Sequence, residues 1–417
     1  MTNKSKSFFS PIVIIGILFF IFGFITWLNG TLIPFLKIAC ELEYAQALLV
    51  TFAFYIAYVF LAIPSSMILK KVGFKNGMAW GLVIMAIGAI IFVPAAQSRS
   101  FVLFLTGLFI QGAGISLLQT ASNPYISILG PIESAAQRIS IMGVCNKIAG
   151  ALSPLILGAI ILEGASDIET QLKTSLAAEK ETLLNELAGR VIVPYIIMAI
   201  ALLGLAFLIY KSSLPEIDTS KEENDSKQEN SEKSVLQHAN LVFGILAIFC
   251  CVGVEVIAGD TIGQYGSSLG ISLDVSKNFT SLTLVAMLVG YFIGIVAIPK
   301  YISQNKALMG CGIVGAIFTL GIIFTSGFTS VAFVAMLGLA NALMWPAIFP
   351  LAIKGLGKKT EFGSALLIMG IGGGAILPYF YGKMAESLGV QEAYLILIPC
   401  YLYILFFATI GHKKQSW

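Results

Sequence analysis

Charge is what this chain has least of. Asp, Glu, Lys and Arg make up 11% of its 417 residues, against about 25% in an ordinary soluble domain. That shortage excludes a water-soluble globular protein. The net charge of +3 is too small for a nucleic-acid partner. Histidine is almost absent: His238 and His412 sit at the ends of apolar runs, with no HExxH pattern. The six cysteines, Cys40, Cys145, Cys250, Cys251, Cys311 and Cys400, have no metal-ligand spacing and read as small buried hydrophobes. No nucleophile–base set or metal set is present, so an enzyme is not expected, nor any cofactor. No leader peptide is expected either. The first apolar run, 11–33, is too long for a signal h-region and has no small-residue cleavage site after it.

What remains is hydrophobic, 57% of the chain, in runs of about 20 residues, the length that crosses a bilayer as a helix. Twelve spans are predicted: 11–33, 46–69, 76–97, 101–126, 138–162, 191–211, 240–268, 277–299, 305–326, 329–353, 361–383 and 391–411. Two polar stretches interrupt them. Residues 163–190 read as an amphipathic helix outside the bilayer. Residues 212–238 (SSLPEIDTSKEENDSKQENSEKSVLQH) are dense in charge and read as a flexible linker. The expected layout is one six-helix bundle over 1–211, the linker over 212–238 and a second bundle over 239–417. Seventeen of the 25 basic residues fall on one side of the predicted membrane, which predicts cytoplasmic termini and a cytoplasmic linker.

The halves read as repeats. GALSPLILG from Gly150 matches GAILPYFYG from Gly374, an offset of 224. Pro124 matches Pro350 at 226, and GFITWLNGTLIPF from Gly23 aligns with GVEVIAGDTIGQY from Gly253 at 230. Two parallel homologous halves of six helices are the architecture of the major facilitator superfamily, with a site expected at the midplane between them.

Polar side chains inside spans are costly and usually line a pathway. In span 4, Gly112, Ser116, Gln119 and Asn123 share one helical face. Amides offer donors and acceptors together, which suits a polyhydroxylated ligand. Asn29 in span 1 and Asn146 in span 5 add two more. The competing reading is that these amides bond neighbouring helices. Span 7 carries two acids, Glu255 and Asp260, and span 5 carries a cation, Lys147. A Lys147–Asp260 or a Lys147–Glu255 pair is expected, with a static structural pair as the competing reading. Trp345 precedes Pro346 in a span with a second proline, Pro350, so freed backbone carbonyls are expected to face a cavity there. Trp345 itself reads as a platform for a sugar ring or as a packing residue.

The residues WLNGTLIP (27–34), LLQTASNPYISILGP (117–131), CVGVEV (251–256) and IKGLG to GIGGGAILP (353–378) resemble the fucose–galactose–hexuronide transporter family, major-facilitator symporters that import sugars across the bacterial inner membrane. The resemblance covers nearly the whole chain and lies nearest the glucose/galactose branch, with N-acetylglucosamine permeases close by. It implies a monomeric hexose importer driven by Na⁺ or H⁺. The rival expectations are a passive uniporter and a non-transporting sugar receptor. For sugar contact the expected residues are Asn29, Gln119, Asn123, Asn146, Gln264, Asn341 and Trp345. For coupling and gating they are Asp260, Glu255, Lys147 and Thr261, with Na⁺ near Asp260 as one form. Lys70, Lys71, Arg138 and Glu133 are expected to lock loops on the cytoplasmic side.

The departures from the resemblance matter. The L-fucose/proton symporter has an aspartate where this chain has Gly30, and a glutamate where it has Gln119. It has an amide at Asn146 but a serine at Lys147. Gly30-Thr31 aligns with Asp260-Thr261 in the repeat, so the missing acid has its counterpart in the other half.

Overall fold

The computed structural model describes residues 11–128, 135–212, 214, 235–298, 301–356, 360–414 and 416. Those residues form helices and short connections, and twelve helices are long and apolar enough to cross a membrane. Each of the two end-to-end halves contributes six. Spans 1–6 are Ile12–Ala39, Tyr44–Leu69, Phe74–Gln97, Phe101–Ser122, Ile141–Ile161 and Ala177–Lys211. Spans 7–12 are Ala239–Asp260, Leu273–Ala297, Gln304–Phe324, Gly327–Ile353, Ala365–Leu388 and Glu392–Lys413. An even number of crossings puts both termini at one end of the bundle. Most of the predicted linker lies outside the described residues.

The apolar side chains divide by partner. Ile196, Ile197, Ile200, Leu203, Phe207 and Leu208 on span 6 are exposed. Tyr195, Ala199, Leu202, Leu205 and Ala206 on the same helix are buried. A helix apolar all round, with one face against protein and the other bare, is made for lipid outside and helix neighbours inside. Tight packing fills the interior of each half. Phe92 of span 3 stacks on Tyr195 of span 6 with centroids 3.8 Å apart.

The sequence reading needs adjusting in two places. Span 1 runs on to Ala39, six residues past the predicted end, because LIPFLKIA stays helical through Pro34. The polar stretch 163–190 is two helices, Ala165–Thr174 and Ala177–Gly189. The second forms the first part of span 6, almost continuous with the helix Ile192–Lys211, and buries Leu184, Leu187 and Ala188.

Spans 1 and 7 are both interrupted. Span 1 breaks between Thr26 and Asn29. Span 7 is followed, after a break at Thr261, by the short helix Ile262–Ser268, which completes the predicted run 240–268. With the repeat offset of 230 the two breaks fall within about one helical turn of each other. Interrupted helices leave backbone and side-chain groups to be satisfied otherwise, and in membrane proteins they mark sites.

Candidate functional site at the seam between the halves

Spans 1, 2 and 5 of the first half face spans 7, 8 and 11 of the second, and a line of polar contacts crosses between them. Within this seam, Lys147 Nζ donates to Glu255 Oε1 at 2.6 Å. The two side chains are 9% and 15% exposed, so this ion pair is nearly closed off from solvent. The ammonium also stands 4.6 Å from the centre of the Trp27 ring, a cation–π contact. Trp27 lies in the break of span 1 and is itself 2% exposed. Gly150 of span 5 and Gly259 of span 7 flank it, and a Cβ on either would overlap the indole. The ring therefore occupies a slot that exists only because both neighbours lack a side chain.

Nearer the end away from the termini, the Thr51 hydroxyl of span 2 donates to Asp260 Oδ2 at 3.0 Å. Asp260 is 0% exposed, and its other oxygen, Oδ1, has no hydrogen-bond partner. Five residues separate Glu255 from Asp260, about 140° around the helix and about 7.5 Å along it. The two acids of span 7 therefore meet different neighbours, and Lys147 pairs with Glu255.

Further contacts close the same end. Ser281 Oγ donates to the Ala151 carbonyl at 2.6 Å, and Lys277 Nζ donates to the Leu162 carbonyl at 3.2 Å. The Tyr44 hydroxyl lies 3.5 Å from that of Tyr381. The Ala45 amide donates to Glu386 Oε1 at 2.9 Å, so a carboxylate of span 11 caps the start of span 2 across the seam.

The predicted sugar residues fall into different situations. Asn29 is 1% exposed and neither its Oδ1 nor its Nδ2 has a partner. Its neighbours along the break, Thr26 and Thr31, also have unpartnered hydroxyls. Gln119 Nε2 donates to the Tyr58 hydroxyl at 3.1 Å. Asn146 Nδ2 donates to the Phe19 carbonyl at 3.4 Å, tying span 5 to span 1 where Gly23 lets the backbones approach. Asn341 Oδ1 accepts from Tyr401 at 2.8 Å, while its Nδ2 has no partner. Gln264 is buried just past the break of span 7. Asn123 lies in the helix of span 4, but its side chain lies outside the described residues.

Two expectations meet a different local chemistry. The Thr261 hydroxyl donates to the Ile257 carbonyl at 2.6 Å and pairs with the Tyr394 hydroxyl at 2.8 Å, so its hydrogen bonds go to groups other than the Asp260 carboxyl. In span 10 the carbonyls of Pro346 and Ala347 accept from Gln304 Nε2 at 2.8 and 3.2 Å. Pro350 has no N–H to offer the Pro346 carbonyl, and a side chain of span 9 replaces it. Trp345 stacks on Phe349, centroids 6.0 Å apart. Of the predicted loop lock, Glu133 and the side chains of Lys70 and Arg138 lie outside the described residues. Lys71 lines a lateral cleft of about 610 Å³ with Trp80 and Tyr210, on the flank and away from the seam.

Thr51 is the residue the sequence reading passed over. Its signal was present: Thr51, Tyr55 and Tyr58 are spaced four and three apart on one face of span 2. Tyr55 and Tyr58 stack 6.2 Å apart, and Tyr55 packs on Gly374 of span 11. At Gly30, where the resemblance puts an acid in a relative, Thr280 Oγ1 lies 2.5 Å from where a Cβ would be. That hydroxyl donates to the Gly259 carbonyl at 2.8 Å, so the acid's space is already filled from the other half.

Comparisons with known proteins bear on the family and the fold. The Major Facilitator Superfamily model matches residues 15–378. A glucose/galactose transporter of Brucella abortus biovar 1 (strain 9-941) is 34% identical over 416 residues, covering 99% of this chain and 97% of its own. The L-fucose-proton symporter of Escherichia coli (strain K12) is 29% identical over 422 residues, covering 99% and 96%. A crystal structure of the E. coli fucose:proton symporter superposes with a TM-score of 0.74 at 28% identity, covering 99% of this chain and all of that one.

Proposed function

Given that this chain belongs to the major facilitator superfamily, we propose that it is a bacterial inner-membrane hexose importer of the glucose/galactose type. A co-transported cation drives it, and the two halves rock to expose the midplane to one side and then the other. The observation that carries this reading is Asn29. A buried amide with neither end bonded is expensive, and here it stands in the break of span 1, at the seam of the halves. A sugar hydroxyl both donates and accepts, and would satisfy both ends of the amide. The unpartnered hydroxyls of Thr26 and Thr31 and the free Nδ2 of Asn341 are further polar groups that a polyol would relieve. Gln119, Asn123, Asn146, Gln264 and Trp345 complete the set assigned to the sugar.

The glucose/galactose transporter that is 34% identical over nearly the full length supports a hexose as the substrate. Coupling is assigned to span 7, whose two acids take the place of the acid missing at Gly30. The ion pair of Lys147 with Glu255 and the contacts around Asp260 join the halves, so a change of charge there is felt as a change in closure. Cytoplasmic termini follow from the excess of basic residues on their side.

The test is uptake of labelled glucose, galactose, mannose and N-acetylglucosamine into proteoliposomes under separate Na⁺ and H⁺ gradients. Accumulation of glucose or galactose above the external concentration is expected. Equilibration without accumulation would make the protein a uniporter, and preference for N-acetylglucosamine would reassign the substrate. Binding without uptake would make it a receptor.

A further inference from the structure

We propose that Asp260 carries the coupling ion, that this ion is a proton, and that the protonated carboxyl bonded to Thr51 latches the closed end of the seam. The proposal rests on the cation-coupled reading above and names its ion and carrier.

The two acids of span 7 differ in what can neutralise them. Glu255 has a lysine at 2.6 Å with an indole beneath it. Its charge is compensated where it stands, and giving it a proton would strand the ammonium. Asp260 has no basic residue at salt-bridge distance among the described residues. It is 0% exposed, takes one hydrogen bond from Thr51 and has a bare Oδ1. A charged carboxylate in that position bears its desolvation cost almost uncompensated. A neutral acid does not. Its proton can lie on Oδ2 and be donated to the Thr51 oxygen at the same 3.0 Å. Oδ1 is then a carbonyl oxygen, the kind of buried group most tolerated without a donor.

The titratable groups close enough to interact electrostatically with Asp260 are Tyr55 of span 2 and Glu255 of its own helix. Tyr394 of span 12 and Tyr265 are next to it through Thr261. None is a cation. The hydroxyls of span 8 in this layer, Thr280 and Thr283, donate to the carbonyls of Gly259 and Ala258. Among the described residues the Thr51 hydroxyl is the one hydrogen-bonded to the Asp260 carboxyl, while that of Thr261 bonds Ile257 and Tyr394. A neutral carboxyl needs no cation and is served by that single partner, so the site as bonded fits a proton.

The consequence is directional. Thr51 and Asp260 belong to opposite halves. Loss of the proton places a bare carboxylate in the closed seam and favours parting the halves so that water reaches it. Binding a proton from the other side removes that penalty and permits closure.

The direct test is infrared spectroscopy of the purified protein at neutral pH, without sugar. A protonated carboxyl stretch is expected in the wild type and is lost in Asp260→Asn. In Thr51→Val it shifts, because the acid loses its partner. Absence of the band in the wild type, or its persistence in Asp260→Asn, overturns the assignment; an unshifted band in Thr51→Val overturns the latch. Asp260→Glu guards against misfolding, since it restores a titratable carboxyl and with it the band. In liposomes, a pH gradient alone should drive accumulation in the wild type and fail to in Asp260→Asn. A strict Na⁺ requirement refutes the proton. Failure of the wild type to exchange labelled hexose across the membrane would instead refute the substrate reading and leave the infrared result standing.

Discussion

Glu255 and Asp260 sit about 1.4 turns apart on the same helix, each bears a carboxyl group, and both face the same partner half. Glu255 is met by Lys147 over the Trp27 ring, and Asp260 by one hydroxyl. An ion pair in a seam holds two halves together only while both members are present. A lone acid can hold them or repel them, depending on one proton. The cation-coupled transport proposed above needs both kinds of contact: one to keep the halves in register and one to respond to an ion. The helix geometry separates them, since five residues turn the second acid out of reach of the lysine.

The sharpest way to break the comparison is to strand Glu255. Lys147→Ala leaves a buried carboxylate without its cation, and removing one member of such a pair costs about 3–5 kcal/mol. Transport should be abolished and the melting temperature should fall. Adding Glu255→Ala should restore part of the lost stability, because the stranded charge goes with it. Additive losses in thermal melts of the single and double variants would show that the two are not coupled.

Next comes the slot that holds Trp27. Gly259→Ala puts a Cβ into the indole from the opposite half, where overpacking costs about 1–3 kcal/mol. The closed seam should be disfavoured, and cysteines introduced at the end away from the termini should become more accessible to a membrane-impermeant thiol reagent. Gly150→Ala crowds the same ring from its own half, and should lower stability without the same gain in accessibility. Equal accessibility in the two variants would remove Trp27 from the closure of the seam.

The amides give a subtler contrast. Asn29 bonds nothing, and Asn146 bonds the Phe19 carbonyl. Asn29→Ala should leave the melting temperature unchanged or raised while hexose affinity falls, by about tenfold if one to two hydrogen bonds are lost. Asn146→Ala should lower stability by about 1 kcal/mol. Binding calorimetry and thermal melts on the same samples separate the two. Loss of stability in Asn29→Ala with unchanged affinity would make it a packing residue.

These contrasts mark what was legible in the sequence. Composition and period reveal twelve spans, because a bilayer demands long apolar runs whatever packs against them. Lys147 in mid-span demanded an acid, and the sequence offered two. Choosing between them needed the rotation of span 7 against span 5, which is set by packing and not by spacing. Thr51 was overlooked because a threonine in a span is unremarkable until something across the seam needs its hydroxyl. The freed carbonyls of span 10 were legible from Pro346 and Pro350, but Gln304 lies about forty residues away in sequence, so the fold alone brings it to them.

The smallest effect expected is at the far end of the seam. Glu386 caps the Ala45 amide from the opposite half and also meets Lys383 at 3.1 Å, but it is solvent-facing, where such contacts contribute little. Glu386→Gln keeps an oxygen for the Ala45 amide and loses the charge that favours the start of a helix. Closure should weaken slightly, with thiol accessibility at that end rising less than in Gly259→Ala. The rise should shrink as salt is added to the wild-type control, because the wild-type contact is itself screened. An effect as large as that of Gly259→Ala would move the gate outward, from the buried seam around Trp27 and Asp260 to its rim.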